Sequence, residues 1–183
     1  MENIKILENQ RLLKYILITI VGSIFLTISA KIKIPIYPVP MTMQTVAVLF
    51  FGISFGYKIG ISIVALYLLE GIVGLPVFSN SPEKGIGLIY FMGPTMGYLI
   101  GFLFAVFFAG YFNFKTNILS IFLKLITSVS IIYVLGILWL GILIGWDKPL
   151  FELGVKPFLL AELFKILLLA VLTKKLLKFR KFI

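Results

Sequence analysis

Cysteine and histidine are both absent from this sequence of 183 residues. Without cysteine the chain has no disulfide and no thiol nucleophile, and without histidine it has no imidazole base. Because most transition-metal sites in proteins depend on these two residues, such sites are excluded almost entirely. An intramembrane metalloprotease is disfavoured as well, since its HExxH motif requires two histidines.

Charged side chains are also scarce. They form 13% of the chain, whereas a soluble domain typically carries about 25%. Three stretches contain no charged residue, 34–57, 85–114 and 125–146, with lengths of 24, 30 and 22 residues. A helix that crosses the hydrocarbon core of a bilayer needs roughly 20 apolar residues. The sequence therefore predicts an integral membrane protein.

Hydropathy, charges and the glycine and proline breaks divide the chain into predicted spans. Helices are expected throughout, because lipid offers no partner for an open strand edge. The second and third spans are separated only by residues 56–58, which predicts a tight helical hairpin. We therefore expect one all-α membrane domain, 1–183, with six transmembrane helices at about 12–30, 40–55, 59–74, 88–112, 118–143 and 157–177.

The distribution of positive charge predicts the orientation of the chain. Six spans place both termini on one side, and that side carries eleven lysines and arginines against five on the other. Because positively charged loops stay inside, both termini are expected in the cytoplasm. The net charge of +10 is therefore interpreted as a topology signal. The basic tail from Lys174 is expected to contact anionic lipid, and nucleic-acid binding is disfavoured.

The first outer loop is rich in proline. Pro35, Pro38 and Pro40 predict a stiff, extended connector, with Pro40 in the first turn of the second span. Thr42, Gln44 and Thr45 then place polar side chains at the outer mouth of that helix. Two interpretations stay open: the loop only positions the helix, or it folds over a ligand pocket.

The second outer loop offers polar groups around Asn80, and glycine recurs at positions 93, 97 and 101. This spacing of four gives a helix one smooth face for close approach of a neighbour. Thr95 and Tyr98 lie at the outer end of the same span, where each side chain faces either a pocket or a packing hydrogen bond. Most of the aromatic side chains are interpreted as lipid-facing or as part of interfacial belts.

The last span contains a glutamate and a lysine three residues apart, Glu162 and Lys165. This spacing puts both side chains on one face of a helix. Each charge costs about 2.5 kcal/mol or more in a span, so such groups usually pair and face the bundle interior. The pair is either purely structural or, as we favour, part of a site for a small ligand.

Four segments together carry a resemblance to a known family. In their order and spacing they resemble the successive motifs of the BioY biotin transporters, the substrate-binding (S) components of energy-coupling factor (ECF) importers: PVPMTMQTVAVLFFG, LYLLEGIVGLPVF, GPTMGYLIGF and GVKPFLLAELFK. The resemblance implies a six-helix S-component bundle in the plasma membrane, with high-affinity biotin binding on the outer side. It also implies a transmembrane coupling protein and two ATP-binding subunits as partners, and no cofactor.

The resemblance also assigns roles to particular residues. In the family, an aspartate and a lysine three residues apart in the last helix contact biotin, and Glu162 and Lys165 occupy the matching positions. Asn80 matches a polar contact that family members make after the LPVF motif. The chain departs from the family's pattern at Glu162, where aspartate is usual, and at Met96, where glycine is usual.

Two other functions stay open. The chain is alternatively an S component or solitary carrier for a different small vitamin-like solute, which the departures at Glu162 and Met96 would favour. An integral membrane enzyme or assembly factor is disfavoured, because Glu70 and Glu162 are the only plausible intramembrane carboxylates and form no recognisable catalytic pair. The sequence contains no GxxxxGK[ST] motif, so energy comes from partners or transport is passive.

Overall fold

Helices dominate the fold of this chain. A computed structural model describes residues 2–182, with side chains described for residues 10–181, so the cation Lys5 lies outside the described side chains. The elements follow in the order α1 (Glu2–Lys31), β1 (Lys33–Ile34), β2 (Met41–Thr42), α2 (Gln44–Ile72), α3 (Leu88–Phe91), α4 (Met96–Tyr111), α5 (Ile118–Ile144), α6 (Leu150–Gly154), a 3₁₀ turn (Lys156–Phe158), α7 (Leu159–Leu176) and a second 3₁₀ segment (Leu177–Phe182).

Helix α2 is a hairpin rather than a rod. Gly56 has φ 78° and ψ 173°, which interrupts the helix and reverses the chain. The side chain of Gln44 donates to the Tyr67 hydroxyl at 2.8 Å, although 23 residues of straight helix would separate them by about 34 Å. The two arms therefore lie side by side, which confirms the predicted turn between the second and third spans.

Small residues let the central helices approach one another closely. A β-carbon on Gly52 would lie 2.7 Å from the β-carbon of Ala109 on α4, and one on Gly101 would lie 2.7 Å from Cα of Ile132 on α5. Contacts this short are possible only for glycine, so α4 packs between the first arm of α2 and α5. The packing role predicted for Gly101 is confirmed. Gly93, by contrast, lies before the helix, where its carbonyl accepts a hydrogen bond from Trp139 at 2.8 Å.

The outer surface of the helices is apolar. Val21 on α1 and Ile142 on α5 are 63% and 69% exposed, and many neighbouring aliphatic side chains are exposed as well. Contiguous apolar surface of this extent is unusual on a protein that faces water. Within the described residues, three helices have the length and composition to cross a membrane: Gln10–Lys31, the bent Gln44–Ile72 and Ile118–Ile144.

Two helix starts differ from the sequence-based prediction. The proline-rich connector is not followed directly by a helix, because Lys33 pairs with Thr42 and Ile34 with Met41 in a short antiparallel ladder. Helix α2 therefore begins at Gln44 instead of Pro40, and the description of the chain as purely helical is corrected by these two short strands.

The predicted span 88–112 is also interrupted. It consists of the short helix α3, a break at 92–95 and helix α4. Pro94 lies in the break and has no backbone N–H to continue the ladder of helical hydrogen bonds. Thr95 precedes α4 as its N-terminal cap residue, so the break brings Thr95 and the first turn of α4 to the end of the bundle that carries the proline-rich connector.

Replacing Gly110 with alanine tests the close packing at the hairpin turn. A β-carbon there would collide with the backbone of Gly56 and Tyr57. We expect Gly110→Ala to destabilise the detergent-solubilised protein by about 1–3 kcal/mol, the usual cost of overpacking. Thermal unfolding followed by tryptophan fluorescence measures this effect, with the exposed Ser130→Ala on α5 as control. Equal melting temperatures for the two variants would contradict this packing.

Candidate functional site

A cavity lies where the proline-rich connector meets the ends of the helices. Its empty volume, including the open space at its mouth, is about 520 Å³. Apolar and aromatic side chains form most of the wall, and a few polar groups converge on it. The lining residues are Val39, Pro40, Met41, Thr42, Gln44, Thr45, Ser79, Tyr90, Thr95, Tyr98, Leu99, Phe102, Ile132, Tyr133, Phe158 and Glu162.

A buried ion pair borders this cavity. Nζ of Lys165 lies 2.6 Å from Oε1 of Glu162, and the two side chains are only 10% and 7% exposed. The hydroxyl of Thr45 donates to the same carboxylate oxygen at 2.8 Å. The spacing of three residues on α7 produces this geometry, as the sequence predicts. Thr45 on α2 completes it, so the pair links α7 to the start of α2.

Lys165 stands behind the carboxylate and does not line the cavity. Its ammonium group contacts the carbonyl oxygen of Thr42 at 2.7 Å and Oγ1 of Thr45 at 3.2 Å, in addition to Glu162. Three contacts match the three N–H donors of a lysine. In this geometry Lys165 orients the carboxylate and ties β2 to α7.

The second oxygen of Glu162 has a different environment. Oε2 is buried and has no hydrogen-bond partner among the described residues. Leaving a buried acceptor unsatisfied costs about 1–3 kcal/mol, and more for a charged group. Glu162 also lines the cavity, so an unpaired acceptor belongs to one of the residues of its wall.

Three further predicted site residues meet at the same cavity: Gln44, Thr95 and Tyr98. Gln44 is buried and held by its hydrogen bond to Tyr67. The hydroxyl of Tyr98 donates to the carbonyl of Gly154 at 2.9 Å, so the pocket and packing interpretations both apply to this residue. These two hydrogen bonds fix the orientations of Gln44 and Tyr98 in the cavity wall.

Asn80, the remaining predicted site residue, does not line the main cavity. It borders a smaller neighbouring pocket that shares Tyr90 and Thr95 with the main one. Its side-chain oxygen accepts a hydrogen bond from Lys33 at 3.1 Å. The preceding residue, Ser79, reaches the main cavity instead.

Sequence reasoning missed an aromatic wall of the cavity. The ring of Tyr133 lies 6.1 Å from that of Phe158 at an interplanar angle of 31°. It also meets Tyr98 edge to face at 6.1 Å. From the sequence, most aromatic side chains are interpreted as lipid-facing or interfacial, and Tyr133 is not singled out.

Two lysines hold the second outer loop in place. Lys31, at the end of α1, donates to the carbonyls of Phe78 and Ser81, each at 2.7 Å. Lys33 donates to the carbonyl of Ser79 at 2.6 Å. Because Ser79 lines the cavity, these contacts fix part of its wall to the first outer loop.

Several known proteins resemble this chain in sequence. A family model described as the BioY family matches residues 3–182. The probable biotin transporter BioY of Pyrococcus horikoshii is 33% identical over 150 residues, which is 82% of this chain and 88% of that protein. The biotin transporter BioY of Thermotoga maritima is 34% identical over 154 residues, 84% of this chain and 89% of that protein.

A solved structure shows the same fold. It is a crystal structure of the S-component for biotin from an ECF-type ABC transporter, and it superimposes with a TM-score of 0.77. The superposition covers 93% of this chain and 94% of the other at 25% sequence identity. The similarity therefore extends over nearly the whole of both chains.

Replacing Lys33 with methionine tests the attachment of the loop. The change keeps the length of the side chain but removes its charge-assisted hydrogen bonds, each of which contributes about 1.5–3 kcal/mol. We expect roughly tenfold faster hydrogen–deuterium exchange in residues 78–85. Lys148→Met, which removes an exposed lysine paired with Asp147 at 3.1 Å, is the control. Unchanged exchange in Lys33→Met would show that this lysine does not hold the loop.

Proposed function

The chain belongs to the BioY family, and on this premise we propose that it is the biotin-binding S component of an ECF-type importer. Relatives named as biotin transporters and the fold of a biotin S-component support the proposal. Within this chain, the observation that carries it is the buried carboxylate oxygen of Glu162 beside a largely apolar cavity. The family consists of transporter subunits, so the chain is not an enzyme.

The chemistry of biotin fits this cavity. Biotin has a ureido group with N–H donors at one end, an apolar fused ring, and a carboxylate on a flexible chain at the other end. We infer that Oε2 of Glu162 accepts a ureido N–H, while the contact with Lys165 holds the carboxylate in its orientation. The rings of Tyr133, Phe158 and Tyr98 supply the apolar wall that replaces water around the fused ring.

The polar end of the ligand is proposed to lie toward the second outer loop. Ser79 and Tyr90 line the cavity there, and their hydroxyl groups are 3.2 Å apart. Asn80 borders the adjoining pocket together with Lys84. A biotin carboxylate that extends past Thr95 would meet these groups, so Asn80 is retained as a binding residue at the entrance.

Orientation in the membrane is part of the same proposal. The charge distribution supports six crossings with both termini inside the cell, which places the cavity at the outer face of the cell membrane. Biotin then enters from outside, and the two outer loops close over it. The contacts of Lys31 and Lys33 with the second loop support joint movement of these loops.

Release of the ligand into the cell requires partners. An ECF-type S component works with other membrane-embedded ECF subunits, and we propose a transmembrane coupling protein and two ATP-binding subunits. The chain lacks a GxxxxGK[ST] motif, so it does not supply the ATPase itself. We expect no cofactor of its own. A carrier for a different small vitamin-like solute is the alternative, because glutamate at position 162 reaches about one methylene further than the usual aspartate.

Removing either charge of the buried pair tests the site. We expect Lys165→Ala and Glu162→Gln to weaken biotin binding at least about tenfold, since a hydrogen bond to a charged group contributes roughly 1.5–3 kcal/mol. Binding of radiolabelled biotin to detergent-purified protein is the measurement, expressed per molecule of folded protein, because each variant leaves one buried charge without its partner. The matched control is Lys156→Ala with Glu152→Gln, an exposed pair with N···O at 2.6 Å.

Two results would count against this assignment. If affinity in Lys165→Ala stays within about twofold of the parent, the pocket is wrongly placed. If the parent protein binds no biotin but saturably binds another vitamin, the alternative function replaces the proposed one.

Cysteine labelling tests the proposed orientation. The chain contains no native cysteine, so Asn80→Cys and Lys178→Cys each provide a single reactive thiol. In intact cells we expect a membrane-impermeant maleimide to label position 80, and to label position 178 only after permeabilisation. Labelling of both positions in intact cells would contradict six crossings with the termini inside.

A further inference from the structure

A second, larger groove lies on another face of the bundle and does not share lining residues with the proposed biotin cavity. It runs between α1 and α7 over the first arm of α2, with an empty volume of about 1180 Å³. Every side chain along it is apolar, which suits a hydrocarbon chain. The lining residues are Leu17, Ile18, Val21, Gly22, Phe25, Val46, Ala47, Phe50, Phe51, Phe55, Leu168, Leu169, Leu172 and Leu176.

The groove continues into a polar, positively charged pocket at one end. Phe55 lines both spaces, and α1 passes from Leu17 in the groove to Tyr15 in the pocket. The C-terminal segment likewise passes from Leu176 to Arg180. Lys58, whose side chain is exposed, borders the pocket on the third side. Helix α1, the bent helix α2 and the C-terminal segment therefore each run from the apolar groove to the polar pocket.

The guanidinium group of Arg180 is fixed at this end. It donates to the carbonyls of Ile53 at 2.8 Å and Gly52 at 3.2 Å, and to that of Gly110 at 3.0 Å. These carbonyls belong to the last turns of the first arm of α2 and of α4, where helix dipoles place partial negative charge. Their bonds use Nε and Nη2, and none of them uses Nη1. Burial lowers the pKa of Arg180, but a guanidinium keeps its charge at neutral pH.

We propose that the groove and this pocket together bind one anionic phospholipid. An acyl chain lies along the groove, and the phosphate lies beside Lys58 and Arg180. Charge complementarity selects this occupant, because a long apolar channel that ends at two cations matches an amphiphile with a negative head. On the predicted orientation, the pocket opens to the inner leaflet, where anionic lipids attract basic side chains. The proposal does not depend on the identity of the transported ligand.

Native mass spectrometry of the full-length protein tests this site. The purified protein is delipidated and titrated with an equimolar mixture of phosphatidylglycerol and phosphatidylcholine. We expect one phosphatidylglycerol to be retained in preference to phosphatidylcholine. Removing one cation with Lys58→Gln should lower that preference about fivefold. Lys115→Gln, which removes another exposed lysine outside the pocket, should leave the preference unchanged.

A pair of variants on α7 tests the apolar part. Leu172→Trp fills the groove, whereas Val171 is 64% exposed and does not line the groove, so Val171→Trp is the matched control. We expect Leu172→Trp to reduce retention of both lipids at least about fivefold and Val171→Trp to have no effect. Thermal unfolding of each variant verifies that it is folded. If Leu172→Trp does not fold, Lys58→Gln still tests the proposal.

Three outcomes would overturn the proposal. The first is equal retention of the two lipids by the parent protein. The second is equal behaviour of Lys58→Gln and Lys115→Gln. The third is a mass of two chains that disappears in Leu172→Trp, which would assign the groove to a second copy of the chain. Because none of these measurements involves biotin, their failure is distinguishable from failure of the proposed function.

Discussion

A carboxylate and an ammonium group lie buried one turn apart on α7, and each needs a partner. This need determines how the half of the molecule that holds the cavity is arranged. Unpaired, either charge would be strongly destabilising in so dry an environment. Glu162 and Lys165 therefore contact each other, and both contact the hydroxyl of Thr45. Lys165 also contacts the carbonyl of Thr42. These partners come from the short ladder and from the start of α2, so satisfying the pair brings three elements together. The cavity lies where they meet.

Contacts between cations and backbone carbonyls recur at several places where regular structure ends. Lys165 contacts the carbonyl of Thr42, Lys31 that of Phe78, and Arg180 those of Ile53 and Gly110. Turns and helix ends leave carbonyls without intrahelical partners, and a bilayer offers little water to satisfy them. Positive side chains fill this role here, which gives lysine and arginine a structural task in addition to their effect on topology.

Local patterns in the sequence predicted those features whose cause is local. The spacing of Glu162 and Lys165 placed them on one helical face, and Gly56 between two apolar stretches indicated the hairpin. Prediction failed where distant segments decide the outcome. The ladder after the prolines depends on pairing between Lys33 and Thr42, and Tyr133 reaches the cavity only because α5 presents that face to the other helices. Neither fact has a signature within a few residues.

The sequence by itself determined that this is a helical membrane protein, that its last span holds two opposite charges, and that it resembles the BioY transporters. Composition and short-range periodicity suffice for these conclusions, because they reflect the solvent and the helix repeat. Only the tertiary structure decided that Lys165 contacts the carboxylate without lining the cavity and that Oε2 of Glu162 has no hydrogen-bond partner among the described residues. It also showed that Ser79 rather than Asn80 reaches the main cavity. Those outcomes depend on where the carbonyls and side chains of remote segments lie, which no local pattern specifies.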